Sequence, residues 1–181
     1  MRNFEEKTTN TQVIYNGKVV HLQVDDVLLP DGKTAKREIV NHPGAVAVIP
    51  ITADNKIIFV EQYRKPLEKS LLEIPAGKLE PGEDPEVTAI RELEEETGYT
   101  TNELSFVTSF YTSPGFANEI MYIYISDQLE VVDQPLAGDE DEFIKIHALT
   151  LEEAKKYVEA ERIHDAKTNY AILYLHALGM K

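Results

Sequence analysis

Residues 77–99 read GKLEPGEDPEVTAIRELEEETGY, and carboxylates crowd this segment. It contains eight Asp or Glu residues against only Lys78 and Arg91. Like charges one helical turn apart cost only about 0.2–0.5 kcal/mol on an exposed helix, so an acidic, solvated surface is one interpretation. The other is a site for a hard divalent cation, because Mg²⁺ and Mn²⁺ prefer oxygen ligands such as carboxylates. Charge alone leaves both interpretations open.

Local signals predict a helix over residues 85–97 of this segment. Pro85 suits the first helical turn, and Gly98 suits the position after the last turn. Three apolar residues recur at every third position and should face the core: Val87, Ile90 and Leu93. At about 100° per residue, Glu92 and Glu96 lie one turn apart on roughly the opposite side of the helix.

The bulk composition excludes several classes of function. A net charge of −14 over 181 residues disfavours binding to nucleic acid, whose backbone is also negative. The absence of cysteine excludes disulfides, zinc–thiolate sites and thiol catalysis. The first ten residues lack the apolar core of a signal peptide, and no apolar run approaches the roughly 18 residues of a membrane helix. We therefore expect a cytoplasmic protein that binds neither nucleic acid nor a membrane.

Strands and helices are expected on both sides of the acidic segment. Residues 11–41 are rich in β-branched residues and turn signals, which predicts β-structure. The apolar run 45–51 is typical of a strand buried on both faces, with residues 57–63 as its expected partner. Helices are predicted over 151–160 and 168–178. Strands followed by helices in this order favour an α+β domain over a regular βαβ fold.

The spacing inside the acidic segment resembles the Nudix box, written here as G-x5-E-x7-R-E-L-x-E-E-x-G-Y. The matching positions are Gly77, Glu83, Arg91, Glu92, Leu93, Glu95, Glu96, Gly98 and Tyr99. Seven fixed residues at about 7% each would match by chance at roughly 10⁻⁸ per starting position, so the signal is strong. Tyr99 departs from the family, which usually has an aliphatic residue at this packing position.

The resemblance implies the Nudix fold, an α/β/α sandwich around a mixed β-sheet, here with an N-terminal antiparallel β-sheet. It also implies hydrolysis of a nucleoside diphosphate linked to another moiety. We expect residues 1–43 to form an N-terminal β segment that serves dimerisation and the substrate pocket. Residues 44–181 are expected to form the hydrolase domain.

The resemblance also assigns roles to the box residues. It implies that two to three Mg²⁺ or Mn²⁺ ions are held by Glu92, Glu95, Glu96, the backbone carbonyl of Ala76 and, from a later loop, Glu142. In the family the arginine at position 91 orients a metal-ligating glutamate. Glu83 stabilises the loop or contributes to binding of metal or substrate.

A wider likeness points to the ADP-ribose pyrophosphatase subfamily. Pro114 lies fifteen residues after Tyr99, as in that subfamily, although a lone proline is usually an ordinary turn residue. The layout of REIVNHPGAVAV, EQYR, SPG with Glu119, GDEDE and DAKT is also similar, over roughly residues 11–178. The resemblance implies that ADP-ribose is hydrolysed to AMP and ribose 5-phosphate.

The same likeness names a catalytic base and a substrate-binding set. A glutamate of the GDEDE loop, Glu140 or Glu142, is implied as the base, with the box residue Glu95 as the alternative; which of them acts stays open. The substrate-binding residues are expected to be Arg37, Glu38, Arg64, Gly77, Glu83, Pro114, Gly115 and Glu119. Arginine suits phosphate because its planar fork can donate two parallel hydrogen bonds. A homodimer is expected, in which Arg37 or Glu38 reaches the partner's substrate.

Two other functions stay open. One is hydrolysis of another nucleotide sugar or of an oxidised nucleotide through the same box. The other is a regulator that binds ADP-ribose without cleaving it, against which the complete set of box carboxylates argues. The sequence leaves the physiological substrate, the metal and the adenine-stacking residue undecided.

Overall fold

The computed structural model describes residues 4–138 and 143–180. The strands are β1 (Lys7–Asn16), β2 (His21–Leu28), β3 (Thr34–Asn41), β4 (Ala45–Pro50), β5 (Ile57–Arg64), β6 (Lys69–Glu73), β7 (Ala76–Lys78), β8 (Tyr99–Thr100), β9 (Ser105–Tyr111), β10 (Ile120–Ser126), β11 (Glu130–Val131) and β12 (Ile144–Leu149). The helices are α1 (Pro85–Thr97), α2 (Leu151–Glu159) and α3 (Ala166–Ala177), with a short 3-10 helix at Lys65–Leu67. Among the helices of residues 4–138 and 143–180, none has the length and apolar composition of a membrane-spanning segment.

The chain divides into two compact units, and the first comprises Met1–Gly44 with Phe110–Ile120. Its antiparallel sheet has the strand order β1-β2-β3. The segment after β9 joins this sheet, because the backbone N–H of Val40 donates to the carbonyl of Phe116 at 2.8 Å. The division predicted between residues 43 and 44 stays a prediction.

The second unit comprises Ala45–Ser109 with Met121–Lys181 and contains a mixed sheet of order β7-β4-β10-β9. In this sheet β4 pairs in parallel with β10 and antiparallel with β7. A second sheet has the order β12-β5-β6, and β11 pairs with β8. All six residues of β4 are buried, and α1 packs on β4 and β7. This packing forms a core cluster of Val46, Val48, Ala89, Leu93 and Tyr124.

The predicted α+β class, with a mixed sheet and an antiparallel N-terminal sheet, is confirmed, and α1 spans the predicted residues 85–97. The predicted pairing of 45–51 with 57–63 is wrong, because β4 lies between β7 and β10 while β5 lies between β12 and β6. An isolated bridge pairs Ile51 with Ile57, and no ladder forms between β4 and β5 in the described sheets. Before the acidic segment, β6 and β7 are separated by Ile74 and Pro75.

The buried face of α1 also differs from its prediction. Leu93 is fully buried, but Val87 is 55% exposed. The face that packs on the sheet instead runs through Thr88, Ala89, Leu93, Glu96 and Thr97. Two polar residues near the end of the helix are therefore buried, and one of them, Glu96, is a box carboxylate.

Candidate active site

Helix α1 begins and ends as its sequence dictates, and this places the box glutamates. The side chain of Asp84 accepts a hydrogen bond from the backbone N–H of Glu86 at 2.9 Å, which caps the N-terminus. Gly98 ends the helix in the left-handed conformation, at φ 70°, and its N–H donates to the carbonyl of Glu94. Tyr99 packs against the core cluster, as the packing position in the box predicts.

Arg91 lies at the centre of three carboxylates. Its Nη1 donates to Glu92 Oε1 at 2.9 Å and to Glu95 Oε2 at 2.8 Å, and its Nη2 donates to Glu83 Oε2 at 3.2 Å. Burial acts to lower the pKa of Arg91, but hydrogen bonds and charge from these carboxylates outweigh it and raise that pKa. Its hydrogen bonds, with that of Thr88, lower the pKa of Glu83. Arg91 therefore stays charged and orients the carboxylate groups around it.

Glu96 and Glu92 contact the strand that precedes the box. Glu96 is only 8% exposed, and its Oε2 accepts the backbone N–H of Ala76 at 2.9 Å. A Cβ added to Gly77 would lie 1.9 Å from the Cδ of Glu92, so a side chain there would displace the Glu92 carboxylate. A glycine at position 77 therefore lets this carboxylate lie directly against the backbone.

The chemistry of these donors suits a hard cation. Carboxylate oxygens of Glu92, Glu95 and Glu96 come from one helix, and the Glu92 carboxylate lies against the backbone at Gly77. Within residues 4–138 and 143–180, no three His, Asp or Glu side chains converge in the manner of a metal cage. Arg91 occupies the centre of the carboxylate group instead.

Arg64, a predicted phosphate ligand, belongs to a second charged cluster in the same unit. Its Nε and Nη2 donate to the two oxygens of Glu73, at 2.7 and 2.8 Å. Lys167 contacts Glu73 Oε2 and also Asp165 Oδ1, the latter at 3.1 Å. Burial acts to raise the pKa of Glu73, but Arg64 and Lys167 outweigh it and lower the pKa to about 2.

The remaining predicted substrate residues that the structure describes belong to the first unit. Arg37 on β3 makes a bidentate ion pair with Glu6, at 2.7 and 2.6 Å, and Glu38 beside it is exposed. Pro114 and Gly115 form an exposed turn.

Glu119 accepts a hydrogen bond from the hydroxyl of Thr112, and its carboxylate lies 3.6 Å from His42 Nδ1. His42 Nδ1 also accepts the N–H of Gly44 at 3.2 Å.

Two predicted residues cannot be placed, because Glu140 and Glu142 lie outside the described residues. The sequence analysis also missed a group that the structure brings together: Glu73, Asp165, Lys167 and Thr168. Glu73 lies within a largely apolar stretch of sequence, LLEIPAG. A carboxylate within an otherwise apolar run was the signal, since a buried charge requires a partner.

Two family descriptions and several known proteins match this chain. The family description "NUDIX domain" matches residues 41–169, and "Nucleoside diphosphate sugar hydrolase N-terminal domain" matches residues 6–40. The "ADP-ribose pyrophosphatase" of Bacillus subtilis is 57% identical over 175 residues, which cover 97% of this chain and 95% of that protein. The "Methanol dehydrogenase activator" of Bacillus methanolicus is 60% identical over 172 residues, 95% of this chain and 93% of that protein.

A solved structure described as "Crystal structure of ADP compounds hydrolase" superposes with a TM-score of 0.84 and covers 98% of this chain and 97% of its own. Its sequence identity is 22%, so it shows the fold alone. The NUDIX description covers well over half of the chain, and the box residues Arg91, Glu92, Glu95 and Glu96 lie on α1. The chain belongs to the Nudix hydrolase family, as its acidic segment predicted.

Proposed function

We propose that the protein hydrolyses the pyrophosphate bond of ADP-ribose and releases AMP and ribose 5-phosphate. The observation that carries this proposal is the likeness, at 57% identity over nearly the whole of both chains, to a protein named ADP-ribose pyrophosphatase. A complete set of box carboxylates on α1 supports catalysis rather than binding alone. Family members generally need divalent metal ions, and we propose two to three Mg²⁺ or Mn²⁺ ions here.

The proposed metal ligands are Glu92, Glu95, Glu96, the carbonyl of Ala76 and Glu142. Bound metal would neutralise charge on the pyrophosphate and lower the pKa of a bound water. The chain's own residues hold the carboxylates in place: Arg91 bridges Glu92 and Glu95, and the N–H of Ala76 orients Glu96. An acidic protein can in this way receive an acidic substrate.

The predicted substrate contacts are proposed residue by residue. Arg64 suits a phosphate oxygen, because Glu73 holds its guanidinium while the side chain stays 37% exposed. Arg37 is proposed for the adenine side, with Glu38 and Glu119 for adenine or ribose hydroxyls. The box loop, through Gly77 and Glu83, and the turn at Pro114 and Gly115 complete the proposed set.

The experiment that tests the proposal is a product assay. The protein is incubated with Mg²⁺ or Mn²⁺ and a panel of ADP-ribose, other nucleotide sugars and oxidised nucleotides, and the products are identified. Preferred cleavage of ADP-ribose to AMP and ribose 5-phosphate is expected. Preferred cleavage of another panel member would move the assignment to that substrate, and binding without cleavage would indicate a regulator.

A loop glutamate is proposed as the base that takes the proton of the attacking water. If the residue only takes the proton of the water and does not also bind metal, Glu140→Gln or Glu142→Gln should lower kcat by about 100-fold with little change in metal affinity. The pH–rate profiles of both variants, with Asp141→Asn as a matched loop control, identify the residue. Full activity in both glutamine variants would assign the base to the box, with Glu95 as the candidate.

A second candidate function is activation of a dehydrogenase. It is favoured by the 60% identity to a protein named methanol dehydrogenase activator. The test adds the protein to a methanol dehydrogenase and compares wild type with Glu96→Gln. Stimulation by wild type alone would show that activation uses the hydrolytic site, and no stimulation would remove this candidate.

A homodimer is proposed from the surface of the N-terminal sheet. Every residue of β1 is exposed, although the strand carries Val13, Ile14 and Tyr15, which are 67%, 50% and 59% exposed. β1 is also an edge strand of its sheet. An exposed edge with apolar side chains favours pairing with a second chain, and a C₂ dimer is the commonest closed assembly.

Light scattering should therefore give about twice the chain mass of 20.5 kDa. If Arg37 also reaches the partner's substrate, mixing Glu96→Gln chains with Arg37→Ala chains should restore part of the activity, because one site of the mixed dimer is intact. A monomer, or no rescue in a mixture shown to contain heterodimers, would end the shared-pocket hypothesis. The cytoplasmic location stays a prediction.

A further inference from the structure

The start of α3 contacts the chain just before the box. We call residues 165–168 the α3 turn and residues 73–77 the box-entry segment. Thr168 is fully buried, and its Oγ1 accepts the backbone N–H of Ile74 at 3.0 Å. Lys167 of the same turn contacts the carboxylate of Glu73, which is 3% exposed. Two consecutive residues of the box-entry segment are thus held by two consecutive residues of the α3 turn.

The other end of the box-entry segment holds box carboxylates. The N–H of Ala76 donates to Glu96 Oε2 at 2.9 Å, and Gly77 lies against the carboxylate of Glu92. Between them, the carbonyl of Pro75 accepts the N–H of Val48 at 2.9 Å. Only Pro75 separates Ile74, held by Thr168, from Ala76, which holds Glu96. A shift at Ile74 therefore moves the donor that orients a box carboxylate.

Capping of α3 does not explain these contacts. Asp165 supplies the N-cap by itself, because its Oδ1 accepts the N–H of Thr168 at 3.1 Å. The Thr168 hydroxyl is not needed for that cap, and it bonds to the box-entry segment. The Lys167 ammonium contacts both the capping oxygen of Asp165 and the carboxylate of Glu73. The DAKT pattern at 165–168 has no role in the function proposed above, and these contacts provide one.

We propose that Thr168 and Lys167 are positioning residues that fix the box-entry segment and, through Ala76 and Gly77, the metal-binding geometry of Glu96 and Glu92. The proposal rests on the metal role given to these carboxylates above. It requires no contact between the α3 turn and the metal or substrate. Mutation of residues that hydrogen-bond to metal ligands commonly lowers metal affinity by about 10–100-fold. Thr168 and Lys167 are one step further from the metal, so their mutation should have a smaller effect.

The test measures Mn²⁺ binding without substrate, by electron paramagnetic resonance or calorimetry, so it does not depend on hydrolysis. Thr168→Val keeps the side-chain shape but removes the acceptor for Ile74, and we expect the Mn²⁺ Kd to rise by about fivefold or more. Thr168→Ser keeps the hydroxyl and should stay within about twofold of wild type. Amide exchange at Ile74 and Ala76 should accelerate in Thr168→Val alone.

Thr101→Val is the matched control for loss of stability. Thr101 is also buried, and its Oγ1 accepts the N–H of Glu103 at 3.0 Å. It should lower the melting temperature without changing the Mn²⁺ Kd. If Thr168→Val does not fold, Lys167→Met replaces it, since Arg64 still pairs with Glu73 in that variant.

An unchanged Mn²⁺ Kd in a folded Thr168→Val protein, or in Lys167→Met, would overturn the proposal and leave the α3 turn a purely structural contact. The proposal would also be overturned if Thr101→Val lowered Mn²⁺ affinity as much as Thr168→Val. Failure of the ADP-ribose assay is a separate result, because a wild type that binds Mn²⁺ still allows every comparison above.

Discussion

A Glu96→Gln variant is expected to fold as the wild type does and to hydrolyse ADP-ribose at least about 100-fold more slowly, a loss of roughly 2.7 kcal/mol of transition-state stabilisation. Glutamine retains a carbonyl oxygen that can accept the N–H of Ala76, so the buried contact at 2.9 Å survives. It loses the negative charge that a divalent cation requires. Glu92→Gln should have an effect of the same order.

Steady-state kinetics over a range of Mg²⁺ concentrations, with circular dichroism to verify folding, measure this effect. Glu86→Gln is the matched control, because Glu86 is an exposed carboxylate in the first turn of the same helix. It should retain wild-type turnover. Turnover near that of wild type in a folded Glu96→Gln protein would discard the metal role of Glu96.

The limits of α1 could be predicted from sequence because the signals that set them are local. Asp84 caps the helix, Pro85 occupies its first turn, and Gly98 ends it in a left-handed conformation. None of these depends on distant parts of the chain. The spacing of the box residues is equally local, so the position of Glu92, Glu95 and Glu96 on one helix could also be predicted from sequence.

Strand pairing and side-chain burial were harder to predict from sequence, since they depend on contacts between distant residues. β4 pairs in parallel with β10, which follows it by more than seventy residues, and no local signal selects that partner over β5. Val87 matched an apolar stripe, yet it is exposed because the sheet packs on the neighbouring face of α1. A periodic pattern identifies a helix more reliably than it identifies the contacting face.

The Glu73 cluster shows the same limit at the candidate site. Glu73 and Lys167 are 94 residues apart in sequence, and only the fold brings them together. Arg64 was predicted as a phosphate ligand, and the structure adds that a buried carboxylate holds its guanidinium. The charge on Glu73 is a property of this cluster, and its energetic consequence can be measured separately from catalysis.

Glu73→Gln is expected to lower the free energy of unfolding at pH 7 by about 3–5 kcal/mol, because Arg64 and Lys167 then lose the buried anion between them. In the folded wild type, these two cations lower the pKa of Glu73 from its ordinary value of 4.5 to about 2. A carboxylate with a depressed pKa stabilises the fold above its unfolded pKa, and this contribution disappears as the pH falls through the folded pKa. The difference of about 2.5 units corresponds to roughly 3 kcal/mol.

The two proteins should therefore differ most above about pH 5 and converge as the pH falls from 4.5 towards 2, because protonated Glu73 resembles glutamine in charge. Urea unfolding of both proteins across this range measures the convergence. Glu152→Gln is the control: its ion pair with Lys155 is exposed and screened by solvent, so its stability should stay close to that of wild type. A Glu73→Gln difference that stays constant from pH 7 to pH 2 would show that lost packing, and not the charge of Glu73, accounts for the destabilisation.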